Sequence, residues 1–230
     1  MNPERTQKEP LGEHVGVRCG DVVLDGDLTV PDGAAGLVIF AHGSGSSRFS
    51  PRNRYVARQM QDGGLGTLLF DLLTEREERV DVRTREHRFD IDLLTRRLVG
   101  AIDWASGQEE TTDLLYGTFG SSTGAAAAIR AAARRSGATG AVVSRGGRVD
   151  LAGDDLERVE APCLFIVGGA DHTVLELNRE ALDRMTCETR LEIVPGAGHL
   201  FEGEGDLEQV AGLARGWFAE HLGAGRTTGR

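Results

Sequence analysis

The sequence predicts a doubly wound, mostly parallel α/β sheet that begins with an antiparallel ribbon. Three observations predict it: apolar runs without polar alternation, helical patterns between those runs, and a length of 230 residues, which suits one large α/β domain. The run at residues 36–41 shows no alternation, which indicates a strand buried on both faces. Repeated strand–helix order with right-handed crossovers then gives a parallel sheet.

The elements follow in order along the chain. Two strands near residues 15–18 and 22–30 form the ribbon, since the turn residues Pro31, Asp32 and Gly33 close the second strand. Further strands are predicted at residues 36–41, 66–70, 114–119, 141–144, 163–167 and 191–194, and helices at residues 51–62, 89–105, 123–135, 174–185 and 207–221. The Glu- and Arg-rich segment 74–88 is predicted to be an exposed loop or short helix over the sheet edge. No insertion between the later strands is long enough for a large lid domain.

Composition limits the function classes and the cellular setting. A net charge of −10 gives no general attraction to nucleic acid or to an anionic membrane, so neither is expected as a partner. No apolar run approaches the roughly 20 residues of a membrane helix, and the first ten residues lack the apolar core of a signal peptide, so we expect a cytoplasmic protein. Three cysteines argue against a disulfide framework and match no zinc spacing, so no metal is expected. We expect one domain over residues 12–222, disordered tails at residues 1–11 and 223–230, and a monomer or small homo-oligomer.

Residues 120–124 read Gly-Ser-Ser-Thr-Gly and carry the main chemical signal. They lie between a predicted strand and an alanine-rich helix, which is the context of the G-x-S-x-G nucleophile elbow. A nucleophile at the apex of this strained turn needs very small residues two positions before and after it, and Gly120 and Gly124 meet that need around Ser122. Ser121 is in the wrong register. The helix that follows directs its N-terminus at a developing oxyanion, so the Thr123 N–H is the expected first donor.

A serine hydroxyl needs a neighbouring base, normally a histidine oriented by a carboxylate. With this elbow the chain order is serine, acid, histidine, and both partners should lie in loops after later strands. Asp171 follows the strand at 163–167 and His199 follows the last strand. His172 competes as the base, but it directly follows Asp171 and is poorly placed to reach Ser122. Three other aspartates remain alternatives for the acid, although their polar stretch is typical of a solvated loop: Asp150, Asp154 and Asp155.

Two further positions are candidates for binding substrate. The second oxyanion donor is expected from the loop after the strand at 36–41, at the Ser44 N–H, with Gly43 or Gly45 as alternatives. His42 is expected to hold this loop rather than to react. Arg145 ends a central strand at the edge where ligands bind in open α/β sheets, so it is a hypothetical substrate-binding residue for a carboxylate. A surface or loop-stabilising role for this arginine is an equally open alternative.

Several stretches together resemble a known family. They are FAHGSGSS at residues 40–47, LLFDLLT at 68–74, the elbow at 120–124, VSRGG at 143–147, and the loops that carry Asp171 and His199. They resemble the dienelactone hydrolase-like family of α/β hydrolases over about residues 12–222. The likeness is strongest to the bacterial branch that also occurs joined to a phosphoribosyltransferase domain, which is not expected within these residues.

The resemblance implies the α/β-hydrolase fold, no cofactor, and a small-molecule ester or lactone substrate. It also implies Ser122, Asp171 and His199 as the catalytic triad. Dienelactone hydrolases use a cysteine nucleophile where this sequence has Ser122, which argues against dienelactone itself as the substrate.

The sequence therefore favours a serine hydrolase that works through an acyl-enzyme. Two alternatives keep the fold: a catalytically silent α/β hydrolase used for ligand binding, and an acyltransferase in which an alcohol or amine intercepts the acyl-enzyme. A dinucleotide site is disfavoured, because Arg48 stands where the fingerprint after Gly43 and Gly45 needs a third glycine.

Overall fold

The structure, a computed structural model, describes residues 11–223. The strands are β1 Glu13–Cys19, β2 Val22–Thr29, β3 Leu37–Ala41, β4 Gly66–Phe70, β5 Tyr116–Ser121, β6 Thr139–Arg145, β7 Cys163–Gly168 and β8 Thr189–Val194. The helices are α1 Pro51–Asp62, α2 Glu75–Thr84, α3 Ile91–Ser106, α4 Thr123–Arg134, α5 His172–Leu182 and α6 Asp206–Gly223, with a 3₁₀ helix at Val149–Leu156. The tails predicted at residues 1–11 and 223–230 lie outside the described residues, except for Leu11 and Gly223.

The strands form one sheet in the order β1-β2-β4-β3-β5-β6-β7-β8. β1 pairs with β2, and β2 with β4, in the antiparallel sense, whereas β4, β3 and β5 to β8 run parallel. The central strands β3, β4, β5 and β7 are buried along their whole length, as expected for parallel strands covered on both faces. The predicted doubly wound sheet with an N-terminal antiparallel ribbon and no large lid is confirmed.

Helices cover both faces of this sheet. On one face, α3 and α4 pack through residues such as Leu98 and Ile129, both fully buried. On the other face, α1 and α6 pack through residues such as Met60 and Phe218. Each such side chain contributes about 1.5–3 kcal/mol by leaving water, so the two apolar layers fix the sheet between them. Among the described helices, none is both long and apolar enough to cross a membrane.

The charged segment 74–88 folds more tightly than its composition suggests. It forms helix α2, which begins with a capping box: the Thr74 hydroxyl accepts from the Glu77 N–H at 3.2 Å and Glu77 accepts from the Thr74 N–H at 2.7 Å. The prediction of a short helix is confirmed, but the prediction of an exposed segment is wrong for Asp81. This carboxylate is fully buried, because it accepts the N–H groups of His87 and Arg88 and the Arg88 Nε–H, at 2.5–2.9 Å.

The stretch after β6 also differs from its prediction as a solvated loop. Residues Val149–Leu156 form the 3₁₀ helix, in which Asp155 is buried. Arg130 Nε donates to Asp155 at 3.2 Å and Arg158 donates at 3.4 Å. Paired arginines make burial of this carboxylate tolerable, so Asp155 joins α4 to the 3₁₀ helix.

Candidate active site

Ser122 lies at the apex of the turn between β5 and α4. Its backbone has φ 51° and ψ −121°, a strained conformation for a residue with a side chain. The flanking glycines explain how the turn closes. A Cβ on Gly120 would lie 2.4 Å from the Ala125 Cα, and a Cβ on Gly124 would lie 2.3 Å from the Ala41 carbonyl oxygen. The elbow geometry that the motif predicts is thus present around Ser122.

Asp171 and His199 lie in the loops after β7 and β8, and these loops pack together. The His199 Nδ1 and Asp171 Oδ2 atoms are 2.7 Å apart. A carboxylate only accepts, so Nδ1–H is the donor and Nε2 is left without a proton in the neutral ring. Asp171 is largely buried, with 15 % of its side chain exposed, whereas His199 is 40 % exposed. This arrangement orients the imidazole and leaves its other nitrogen accessible.

The other candidate acids have different partners. Asp150 pairs with Arg148 at 2.8 Å and Asp154 lies 3.6 Å from Arg184. Asp155 is held by Arg130, as described above. Within residues 11–223, Asp171 is therefore the aspartate that the structure brings to His199.

Ser122 and His199 face one cleft of about 380 Å³ at the carboxyl edge of the sheet. Its walls come from the loop after β3, the first turn of α1, the elbow, the end of β6 and the loop after β8. The lining residues are Gly43, Ser44, Gly45, Ser46, Ser50, Pro51, Arg52, Asn53, Ser121, Ser122, Arg145, His199 and Leu200. The Ser122 hydroxyl has no hydrogen-bond partner among the described residues. Hydrogen bonds between a nucleophile and its base often form fully only when substrate binds.

The loop after β3 contacts the elbow through Ser44 and Thr123. The two side chains are joined, because the Ser44 and Thr123 hydroxyl oxygens are 2.9 Å apart. Gly43 also approaches the elbow, since a Cβ there would lie 3.2 Å from the Ser122 Cβ. The loop after β3 is thus held against the elbow.

His42 joins the same loop to the residues that follow β4. Its Nε2 accepts from the Leu72 N–H at 3.1 Å, so its Nδ1 carries the proton and donates to the Gly43 carbonyl at 3.0 Å. Burial lowers the pKa of this imidazole, which keeps it neutral and able to accept from Leu72. These contacts agree with the structural role expected for His42.

Arg145 ends β6 next to the elbow and lines the cleft. Its side chain is only 9 % exposed, and its Nη1 atom is buried without a hydrogen-bond partner. Burial, and then repulsion by Arg52, lower the pKa of Arg145 to about 10. A cation that is buried without an anionic partner is costly, so this arginine is not a surface residue.

Comparison with known proteins places the chain in a family. The family model described as "Dienelactone hydrolase family" matches residues 25–217, which is most of the chain. The chain belongs to the dienelactone hydrolase family. A crystal structure of a dienelactone hydrolase from Anabaena variabilis is 54 % identical, with a TM-score of 0.91, over 93 % of this chain and 99 % of that one.

More distant and longer relatives complete the comparison. Est1E from Butyrivibrio proteoclasticus, with bound ferulic acid, shares the fold at 15 % identity and a TM-score of 0.75, over 90 % of this chain and 99 % of that one. Two Mycobacterium tuberculosis proteins named "Putative phosphoribosyl transferase" are 54 % identical over 210 residues, 91 % of this chain. The chain spans 46 % of the length of these curated relatives.

Sequence reasoning missed the part of the cleft that comes from the start of α1, Ser50 to Asn53, and it also missed Leu200. Arg52 carried a usable signal, because a cation in the first turn of a helix opposes the helix dipole. Such a local conflict often marks a functional position. Asn53 and Leu200 reach the cleft only through the packing of α1 and of the loop after β8.

The described residues hold no cluster of three or more His, Cys, Asp or Glu side chains suited to a metal ion. Cys163 is buried in β7, where burial raises the pKa of its thiol well above the usual value. Cys163 therefore has the character of a small apolar residue.

Proposed function

We propose that this protein is a serine hydrolase that cleaves carboxylic esters or lactones through an acyl-enzyme on Ser122. One observation carries the proposal: a strained serine at an elbow shares its cleft with a histidine whose Nδ1 lies 2.7 Å from Asp171. Membership of the dienelactone hydrolase family supports a hydrolase. Dienelactone hydrolases use a cysteine nucleophile where this chain has Ser122. A serine hydroxyl needs a neighbouring base to become nucleophilic.

The mechanism starts with acylation. The Ser122 Oγ attacks the substrate carbonyl carbon while His199 Nε2 takes the hydroxyl proton, and Asp171 stabilises the imidazolium that forms. The Ser44 and Thr123 backbone N–H groups donate to the oxyanion of the tetrahedral intermediate. The intermediate collapses, the bond from the carbonyl carbon to the alcohol oxygen breaks, and His199 returns the proton to the departing alkoxide.

Deacylation repeats these steps with water. His199 removes a proton from a water molecule, whose oxygen attacks the acyl carbon, and the proton then passes to the Ser122 Oγ as the acid leaves. An ester and one water thus give one acid and one alcohol. The 40 % exposure of His199 supports water as the acyl acceptor, because the imidazole is open to solvent.

Arg145 serves in this proposal as a substrate-binding residue. It lines the cleft beside Ser122, and in the described residues no carboxylate pairs with it. The name of the mycobacterial relatives refers to proteins about twice as long, so we assign to this chain the hydrolysis that its family and its cleft support.

Pre-steady-state hydrolysis of p-nitrophenyl esters tests the proposal. We expect a burst of about one p-nitrophenolate per protein, followed by slower turnover, because acylation precedes hydrolysis of the acyl-enzyme. His199→Ala should lower kcat at least about 1,000-fold, since the general base is removed. His172→Ala is the matched control, because this exposed histidine begins α5 next to Asp171, and it should retain activity.

Two results would contradict the proposal. One is the absence of any turnover across esters of increasing acyl length and lactones. The other is an equal loss of activity in the two histidine variants. The same panel defines which acyl groups the cleft accepts.

A further inference from the structure

The side chains that line the cleft of Ser122 carry a positive formal charge, although the protein as a whole carries a net charge of −10. Two arginines, Arg52 and Arg145, are among its lining residues, and no aspartate or glutamate is. Neither arginine has a carboxylate within 4.0 Å in the part of the chain that the structure describes. The cleft therefore concentrates positive charge that the folded chain leaves unneutralised.

Arg145 is built into this site rather than attached to its surface. It aligns with Ser121 on the neighbouring strand β5, and aligned residues of a sheet point to the same face. The Ser121 hydroxyl donates to the Asn53 Oδ1 of α1 at 3.0 Å, so Arg145 also projects toward the α1 face, where Arg52 lies. The buried Nη1 of Arg145 has no partner, which is costly unless a ligand anion neutralises the guanidinium.

The N-terminus of α1 adds to the same potential. Ser50 caps this 12-residue helix, its first turn contains no acidic residue, and Ser50 through Asn53 line the cleft. A helix N-terminus carries roughly half a positive charge and favours bound anions. Arg52 adds a full charge where the dipole disfavours a cation, so stability of the helix does not account for it. An anion bound between α1 and β6 would relieve the repulsion between Arg52 and Arg145 and the repulsion between Arg52 and the helix dipole.

We propose that Arg52, Arg145 and the N-terminus of α1 form a subsite beside Ser122 for a phosphate monoester group on the substrate. This inference rests on the proposed function and narrows its substrate to esters or lactones that carry a phosphoryl group. Two guanidinium groups need close to two negative charges, and a phosphate monoester carries about −1.5 to −2 at pH 7 whereas a carboxylate carries one. Guanidinium groups also match phosphate oxygens with paired hydrogen bonds.

The position of the subsite limits where the phosphoryl group lies on the substrate. Arg145 ends the strand next to the elbow, and neighbouring strands are about 4.8 Å apart. The Arg145 carbonyl also accepts from the Ser122 N–H at 3.2 Å. The phosphoryl group should therefore lie only a few bonds from the scissile carbonyl, as in a small phosphorylated lactone or ester.

Binding of simple probes tests the subsite without any turnover. Isothermal titration calorimetry compares phenyl phosphate, benzoate and benzyl alcohol, which share the ring and differ in charge. We expect phenyl phosphate to bind at least about tenfold more tightly than benzoate, and benzyl alcohol not to saturate the site. Arg52→Gln and Arg145→Gln should each weaken phenyl phosphate about 10- to 100-fold, the usual loss for a charged hydrogen bond.

Two variants make the test specific. Arg58→Gln removes an exposed arginine of the same helix that does not line the cleft, and it should leave binding unchanged. Arg52→Gln keeps the test valid if the buried Arg145→Gln variant does not fold, as judged by circular dichroism.

The remaining outcomes separate the two proposals. Ser122→Ala should bind phenyl phosphate as the wild type does, because the nucleophile is not part of the subsite. Saturable phenyl phosphate binding by a wild type that hydrolyses no ester or lactone would overturn the proposed function alone. Equal affinity for benzoate and phenyl phosphate, no saturable binding, or binding unaffected by Arg52→Gln would each overturn the subsite.

Discussion

Gly124→Ala tests how closely the elbow and the oxyanion loop are packed. A Cβ at this position would lie 2.3 Å from the Ala41 carbonyl oxygen and 2.6 Å from that of His42. Both atoms are backbone, so the loop after β3 has to move about 0.7 Å before the contact reaches the 3.0 Å that real Cβ atoms keep. Overpacking of this kind costs about 1–3 kcal/mol of stability. A displacement near 1 Å in a catalytic site costs roughly 100-fold in rate, so kcat/KM should fall by about that factor.

Ester kinetics and thermal unfolding of the same preparation measure both effects. Gly216→Ala is the matched control, because this glycine lies on an exposed face of α6 and an added Cβ there meets nothing within 4 Å. It should raise the free energy of unfolding by about 0.5–1 kcal/mol and leave kcat/KM unchanged. A Gly124→Ala variant with wild-type kcat/KM would refute the close approach of elbow and loop.

Three further predictions concern the triad, the oxyanion loop and the buried carboxylate of α2. Asp171→Asn should lower kcat about 1,000- to 10,000-fold in ester assays, because the amide no longer holds the correct histidine tautomer, and an unchanged kcat would remove Asp171 from the mechanism. Ser44→Ala removes the hydroxyl that contacts Thr123 but keeps the backbone N–H donor, so kcat should fall less than about tenfold. A loss of kcat near 1,000-fold would instead assign the Ser44 hydroxyl a direct role. Asp81→Asn should lower the free energy of unfolding in urea by about 3 kcal/mol at pH 7, whereas the exposed Glu75→Gln on the same helix should change it by less than about 0.5 kcal/mol. Burial alone raises the pKa of Asp81, but the hydrogen bonds from Arg88 and His87 outweigh burial, so the net pKa is lowered. The stability that Asp81 contributes is therefore present above about pH 4, and it is lost as the pH falls through the lowered pKa. Equal stabilities of wild type and Asp81→Asn at pH 7 would contradict this account.

The sheet follows from the sequence wherever strands are buried on both faces. β3, β4 and β7 are continuous apolar runs, so their positions are predicted within one or two residues. β8 is an edge strand and begins with Thr189 and Arg190. Because these two residues are polar, the hydrophobic pattern predicts that the strand begins only at residue 191. The burial of Asp81 depends on Arg88 and the backbone amides that fold back over it, which no local pattern of hydrophobicity encodes.

The site was predictable to the extent that the elbow constrains it. The pattern around Ser122 fixes the register of the turn, and the chain order points to Asp171 and His199, which the structure brings within 2.7 Å of each other. Arg145 was identified only by its place at the end of β6. Its convergence with Arg52 depends on how α1 packs against the sheet, so the charge of the cleft emerged only from the tertiary structure.

Covalent labelling with a fluorophosphonate, mapped by mass spectrometry of the digested protein, tests the central claim most directly. The account predicts one adduct, on Ser122, formed by the wild type and by Ser121→Ala and lost in Ser122→Ala. Ser121 is the matched control, because its hydroxyl is buried and donates to Asn53, although the residue lies at the wall of the same cleft. An unreactive wild type, or equal labelling of Ser122→Ala, would contradict the assignment of Ser122 as the nucleophile.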